Sequence, residues 1–267
     1  MKILNTVSIF VLIGCTISCK SQVDYPNQDF TEDKRITHII VALCDNDHQG
    51  IVQVPSKIGN GQDPRNNLYW GALYGVKTFF KKQPEWSLVK SSIVNDIILE
   101  RIIFRHTNGK DWLVADAYDG RYMKEAIQDY LYSLSGKYKD IIQVGKERVG
   151  THGNASLVAF VGHNGLMDVN IDFPFPLQLE DEEQRAAIIL ACISKDYFLP
   201  LLSSVEAKPL LLTTGLMAPE AYTLDAAIDA VINNANSTQV HEAAAQAYHQ
   251  YQKCGMNGAR RLFWTEQ

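Results

Sequence analysis

The 267-residue chain has no cluster or stripe of lysines and arginines, and nowhere do basic residues alternate with aromatics. With 25 basic side chains against 30 acidic ones and a formal net charge of −5, it offers no concentrated basic surface for phosphates. A nucleic-acid partner is therefore not expected. No Gly-x-Ser-x-Gly occurs, which argues against a serine nucleophile elbow. Gly59-Asn-Gly61 is not followed by Lys-Ser or Lys-Thr, so it is a poor phosphate loop. His48, His152 and His163 with Asp45 show no known metal-ligand spacing, and no calcium-loop pattern is present. No metal and no cofactor is expected. There is no internal repeat and no low-complexity tract. Cysteine is scarce at five residues, too few for a disulfide framework in a chain of this length.

The N-terminus reads as an address. One positive charge at Lys2 precedes an uncharged apolar run and then small residues, ending near Cys19. This is the layout of a signal peptide, too short and too abruptly ended for a spanning helix. A cysteine after small residues resembles a bacterial lipobox, and two registers fit, ending at Cys15 or at Cys19. The longer apolar region and the following Lys20-Ser21-Gln22, which resembles lipoproteins of the Bacteroidota, favour Cys19 as the lipidated residue. Residues 1–18 would then be removed, and 19–34 would tether a domain in the periplasm or at the cell surface. The membrane would be met through the lipid alone. Cys44, Cys192 and Cys254 remain, an odd number, so at least one thiol is expected to stay free. A Cys44–Cys254 bridge is compatible with that count.

Residues 35–267 read as a single α/β domain with a mainly parallel sheet flanked by helices on both faces. Buried strands are expected at Ile36–Cys44, Asp96–Arg105, Asp111–Asp116, Ser156–His163, Ala186–Cys192 and Pro209–Thr214. Several are continuous apolar runs, as in strands covered on both faces. Asn108-Gly109 predicts a hairpin turn. Asp63 and Pro64 predict a helix start, with the helix running to Lys82 before Pro84 stops it. Asp119 should cap a helix over 120–135, ended by Gly136. Further helices are expected over 195–205, 218–235 and, capped by Thr238, up to Gly255. The stretch up to Asn154 reads as polar and glycine-bearing, and Glu180–Glu183 as a solvated acidic face.

Two of the apolar runs end in reactive side chains: Ala159-Phe-Val-Gly-His163-Asn164-Gly165 and Ile189-Leu-Ala-Cys192-Ile-Ser194. Ligands of open α/β sheets bind beyond the carboxyl ends of the strands. Neighbouring strands would place a thiol beside an imidazole there, a candidate nucleophile and base. Asp45 and Asp47, after the first strand, would stand at the same edge as candidate substrate-pocket residues.

A strand ending His-Gly followed by one ending Ala-Cys resembles the caspase-like cysteine peptidases, the group of caspases, metacaspases, legumain, gingipains and clostripain. The resemblance covers the element order of roughly residues 35–235 and rests on those two motifs. It implies Cys192 as nucleophile, His163 as acid/base, and main-chain N–H groups at Asn164 and Gly165 for the oxyanion, acting on a peptide or protein substrate. The chain departs from the family in three places. Asn164 replaces the glycine after the histidine, Leu190 replaces the aspartate of clostripain-like members, and the loop between the two strands is short. The other expectation is a non-catalytic surface lipoprotein that holds a peptide or protein partner in the same cleft.

Overall fold

The computed structural model describes residues 34–173 and 176–266. The signal peptide, both lipidation candidates and nearly all of the tether lie outside the described residues, as does part of the loop at Asp172–Pro176.

The central strand is β1 (Arg35–Ala42), whose apolar run is buried from Ile39 onward. It pairs in parallel with β4 (Asp111–Tyr118) on one side and β7 (Leu157–Val161) on the other. β7 pairs in parallel with β8 (Ala186–Leu190), and β8 with β9 (Lys208–Thr213). Antiparallel strands close both ends. β3 (Ile98–His106) and β2 (Trp86–Ser92) extend the β4 side, and β10 (Phe263–Trp264) covers β9. The order is β10-β9-β8-β7-β1-β4-β3-β2. The expected class, a mainly parallel sheet with helices on both faces, is thus observed.

Continuous apolar strands need cover on both sides. One face carries α1 (Val76–Phe80), α4 (Ala221–Ile232), α5 (Ser237–Gln252) and α6 (Met256–Leu262), packed on Ile39, Val41, Ala159 and Ile188. The other carries α2 (Met123–Leu134), α3 (Ser194–Ser204) and a separate hairpin of β5 (Lys139–Val144) and β6 (Glu147–His152), packed on Ile40, Val158, Phe160 and Ile189. Alternate residues of β1 and β7 thereby enter opposite cores.

Several expectations need correction. The helix predicted from Pro64 to Lys82 is confined to α1. Asn67 holds the preceding segment in turns: it accepts the Cys44 N–H at 3.1 Å and donates to the Cys44 and Asn60 carbonyls at 2.8 and 3.0 Å. A Cβ at Gly75 would stand 2.5 Å from the Trp70 main chain, so the chain folds back closely there. The polar, glycine-bearing segment before Asn154, for which no element was expected, forms the hairpin β5–β6 around Gly145 at φ +60. β2, α6 and β10 were not anticipated. Asn236, not Thr238, caps α5, in a reciprocal box with Gln239. The acidic run is more than a solvated face. Asp181 and Glu183 both receive the buried Arg185 guanidinium, at 2.7 and 3.0 Å. Asp119 does cap the expected turn, accepting the Arg121 N–H at 2.9 Å, and Gly136 at φ +80 closes α2.

Candidate functional site

β7 and β8 lie side by side with Val161 opposite Leu190. Two residues past each end come His163 and Cys192. Both line one cavity of about 350 Å³ at the carboxyl edge of the sheet. The loop after β1 supplies Gly50, Ile51, Val52 and Val54 to its wall; the loop after β9 supplies Leu216 to Glu220. Leu68 and Tyr69 complete the apolar side.

The local chain explains how the two side chains are held. A Cβ at Gly162 would come within 2.9 Å of the Ala42 carbonyl, so only glycine lets β7 leave the sheet against β1. Asn164 then clips the two exits together, its side-chain amide donating to the Cys192 carbonyl at 2.7 Å. On the other strand, Ile193 adopts φ +48, an unfavourable region for a β-branched residue. Strain of this kind costs about 1–3 kcal/mol and persists where neighbours enforce it. Here the Ile193 N–H donates to the Gly215 carbonyl at 2.9 Å and the Ser194 N–H to the Thr213 hydroxyl at 3.1 Å. The turn sends Cys192 toward the cavity before α3 begins. Its Sγ lies against the Met217 main chain, receiving that N–H at 3.4 Å and facing the carbonyl at 3.7 Å.

The sequence reading missed Asp168. Its Oδ2 lies 2.6 Å from His163 Nε2 and also accepts the Gly50 N–H at 3.1 Å. A carboxylate accepts here, so Nε2 carries the proton and Nδ1 of a neutral ring presents its lone pair. Nδ1 has no partner among the described residues. The signal was available: an acid five positions after a strand-terminal histidine, across a tight Asn-Gly turn. Thiol, imidazole and carboxylate thus belong to one edge, with the carboxylate setting the ring's tautomer.

Other site expectations fare differently. The Gly165 N–H donates to the His163 carbonyl at 3.1 Å, so it is committed within its own turn; the N–H groups of Asn164 and Cys192 have no acceptor among the described residues. Asp45 and Asp47 do not line the cavity. Asp45 is buried and organises its own loop, accepting the N–H groups of Asp47 and His48 at 2.9 and 3.2 Å and the Gln62 amide at 2.8 Å. Asp47 is exposed. Cys44 and Cys254 are both free thiols, the first buried and the second exposed, so the bridge between them is absent. Burial pushes the Cys44 thiol up to about 11, and its Tyr69 contact only partly offsets that.

A second cluster, His38, Asp116 and His152, groups three metal-type ligand atoms within 4.8 Å. Its protons argue against an ion. His38 Nδ1 accepts the His152 N–H at 2.7 Å, so Nε2 must carry the proton it shares with Asp116 at 3.0 Å. Both Asp116 oxygens already receive the Arg101 fork, at 2.5 and 2.6 Å. Burial would raise the Asp116 carboxyl, but Arg101 and His38 outweigh it and hold it well below the carboxylate range. His38, Asp116 and Arg101 thus form a buried ion network with no free ligand position on either His38 or Asp116.

Among the described residues no helix is long and apolar enough to cross a membrane. No protein-family model, no curated protein and no solved structure matches the chain.

Proposed function

We propose that the chain is a caspase-like cysteine peptidase, exported and held to a bacterial envelope membrane by lipid on Cys19. The observation that carries the reading is the shared cavity of Cys192 and His163 at the ends of two adjacent parallel strands. The strand order around them, with β1 between β4 and β7 and the cysteine strand next in line, supports it further. The Asp168 carboxylate behind the imidazole supplies the third member that such chemistry uses.

In this reading the Cys192 thiol gives its proton to His163, and the sulfur attacks the carbonyl carbon of the scissile peptide bond. The carbonyl oxygen takes the electron pair, next to the unoccupied N–H donors of Asn164 and Cys192. As the oxyanion collapses, the C–N bond breaks and His163 protonates the departing amine. A thioester remains. Water, deprotonated by His163, then cleaves it to a carboxylic acid and the free thiol.

The test uses the wild type and Cys192→Ala against a peptide library, with cleavage read by mass spectrometry. The expected result is cleavage by the wild type and a loss of about 10³-fold or more in the variant. Equal cleavage by both ends the nucleophile assignment. Absence of cleavage, together with no labelling of a reduced Cys192 by an electrophilic peptide, favours a lipoprotein that binds a peptide without cutting it.

A further inference from the structure

The cavity has a chemical bias that the nucleophile does not explain. Among the described residues its wall is mainly aliphatic and aromatic, and no lysine or arginine lines it. One acid does: Glu220, at the end of the loop after β9. Its carboxylate is anchored from behind. Oε2 accepts the Tyr222 hydroxyl at 2.8 Å and the Gln252 amide at 3.1 Å. Oε1 accepts from no described residue, and no described cation pairs with the group. Burial pushes the carboxyl upward, and its two hydrogen bonds only moderate this. Two neutral donors on one oxygen aim the group without neutralising it.

A half-buried carboxylate beside an apolar wall is poorly compensated until a cation arrives. The wall sets a second requirement. Ile51, Val54, Leu68 and Met217 offer apolar surface along the way to Glu220, and Val52 and Leu216 stand 92% and 73% exposed at the mouth. A bare ammonium ion would leave that surface wet. Lysine and arginine combine an aliphatic stem with a terminal cation, and they bury the stem while pairing the head. The cavity's volume lies at the small end of ligand pockets, about 300–1,000 Å³, which suits one side chain and not a folded partner.

We propose that this cavity is a specificity pocket for a lysine or arginine side chain of a peptide, with Glu220 receiving the cation and the apolar wall receiving the stem. The inference deepens the peptidase reading and rests on it for placing the peptide's carbonyl near Cys192. An acidic side chain would set two carboxylates together in a desolvated space, and a leucine would leave Glu220 unpaired.

The test separates the pocket from the chemistry. Fluorescein-labelled hexapeptides, identical except for one central residue (lysine, arginine, norleucine or glutamate), are titrated into the chain carrying Cys192→Ala, with polarisation as the readout. The lysine and arginine peptides are expected to bind at least about tenfold tighter than the norleucine peptide, and glutamate weakest. Added Glu220→Gln should erase that preference, and Glu220→Lys should turn it toward glutamate. The peptide series on the parent chain does not depend on either variant folding. Wild-type digestion of the same peptides runs in parallel. Cleavage after lysine or arginine supports the pocket and the peptidase together. Basic preference in binding without any cleavage supports the pocket and overturns the peptidase. Cleavage without a basic preference overturns the pocket and leaves the peptidase standing. Equal or absent binding across the series, without basic-selective cleavage, overturns the pocket.

Discussion

The sheet carries two histidine–aspartate pairs of nearly the same geometry and opposite character. His163 meets Asp168 at 2.6 Å at the carboxyl edge, beside a thiol and a cavity. His38 meets Asp116 at 3.0 Å in the interior, beside a guanidinium and a second imidazole, with no solvent. In the first pair the ring keeps one nitrogen uncommitted. In the second, both His38 nitrogens and both Asp116 oxygens are spent on protein partners. The lesson is that a histidine and an aspartate in contact do not by themselves make a reactive site. What distinguishes the edge pair is a nitrogen with no partner among the described residues, access from a cavity, and a free thiol within the same rim.

The comparison breaks most sharply when each pair loses a member and stability is measured. Arg101→Met leaves the buried Asp116 charge with His38 alone, and removing one partner of a buried ion pair costs about 3–5 kcal/mol. Asp168 is partly exposed, so Asp168→Ala should cost under about 1 kcal/mol. Urea denaturation at pH 7.5 measures both. Equal losses would mean that the edge pair is as structural as the interior one.

How the two pairs relate to the sequence is instructive. The edge pair's histidine was legible because it ends a continuous apolar run, and so was the thiol at the end of Ala186–Cys192. Short continuous apolar runs suit strands buried on both faces, and the carboxyl ends of such strands are where ligands of open α/β sheets bind. Asp168 was not legible, because it belongs to an irregular loop whose path depends on the Gly50 amide, more than a hundred residues earlier. The interior network was hidden for a similar reason. His38, Arg101, Asp116 and His152 sit on four strands: register brings the first three together, and the separate β5–β6 hairpin adds His152 through its N–H to His38. Asp45 misled because a strand-end aspartate can face a pocket or fold its own turn, and the Gln62 and His48 contacts that decide this are loop geometry. Likewise the apolar positions after Pro64 repeat with helical spacing, yet Asn67 redirects them by bonding to the end of β1. Local pattern carried the strands. Contacts between loops were beyond it.

A narrower contrast asks whether Asp168 positions the imidazole or only decorates it. Asp168→Asn keeps the size and can still meet the ring, but it no longer demands a proton on Nε2. With the ring free to adopt the wrong tautomer or to swing, kcat should fall by about tenfold to a hundredfold. Binding of a lysine peptide in the Cys192→Ala background should not change, since neither group reaches Glu220. A matched loss of binding and turnover would assign Asp168 to the shape of the cleft.

The smallest effect lies in pH, and it belongs to the interior pair. Burial holds the His152 ring well below its ordinary range; the nearby His38 and Arg101 push the same way, and Asp116 opposes them only in part. The ring stacks on Tyr138 at 3.7 Å and its Nε2 has no hydrogen-bond partner among the described residues. A native state that refuses a proton loses ground wherever the unfolded chain accepts one. That begins near pH 6.5, the ordinary histidine value, and continues downward toward the depressed native one. Asp116 acts in the same direction but later. Its native carboxyl is held low, so its contribution stands above about pH 4, the ordinary aspartate value, and fades only as the solution is acidified further. The two windows are separable. His152→Asn retains a residue type that tolerates φ +54 and removes the titrating ring. Between pH 6.5 and 5 the wild type should lose roughly 1–2 kcal/mol through this ring, up to about 1.4 kcal/mol per pH unit, and the variant's curve should flatten by that amount. Below pH 4 both should fall alike, because Asp116 remains in each. Parallel curves from pH 7 to 5 would show that the interior ring takes up its proton without unfolding the chain, and would erase the distinction between a sealed imidazole and the one at the edge.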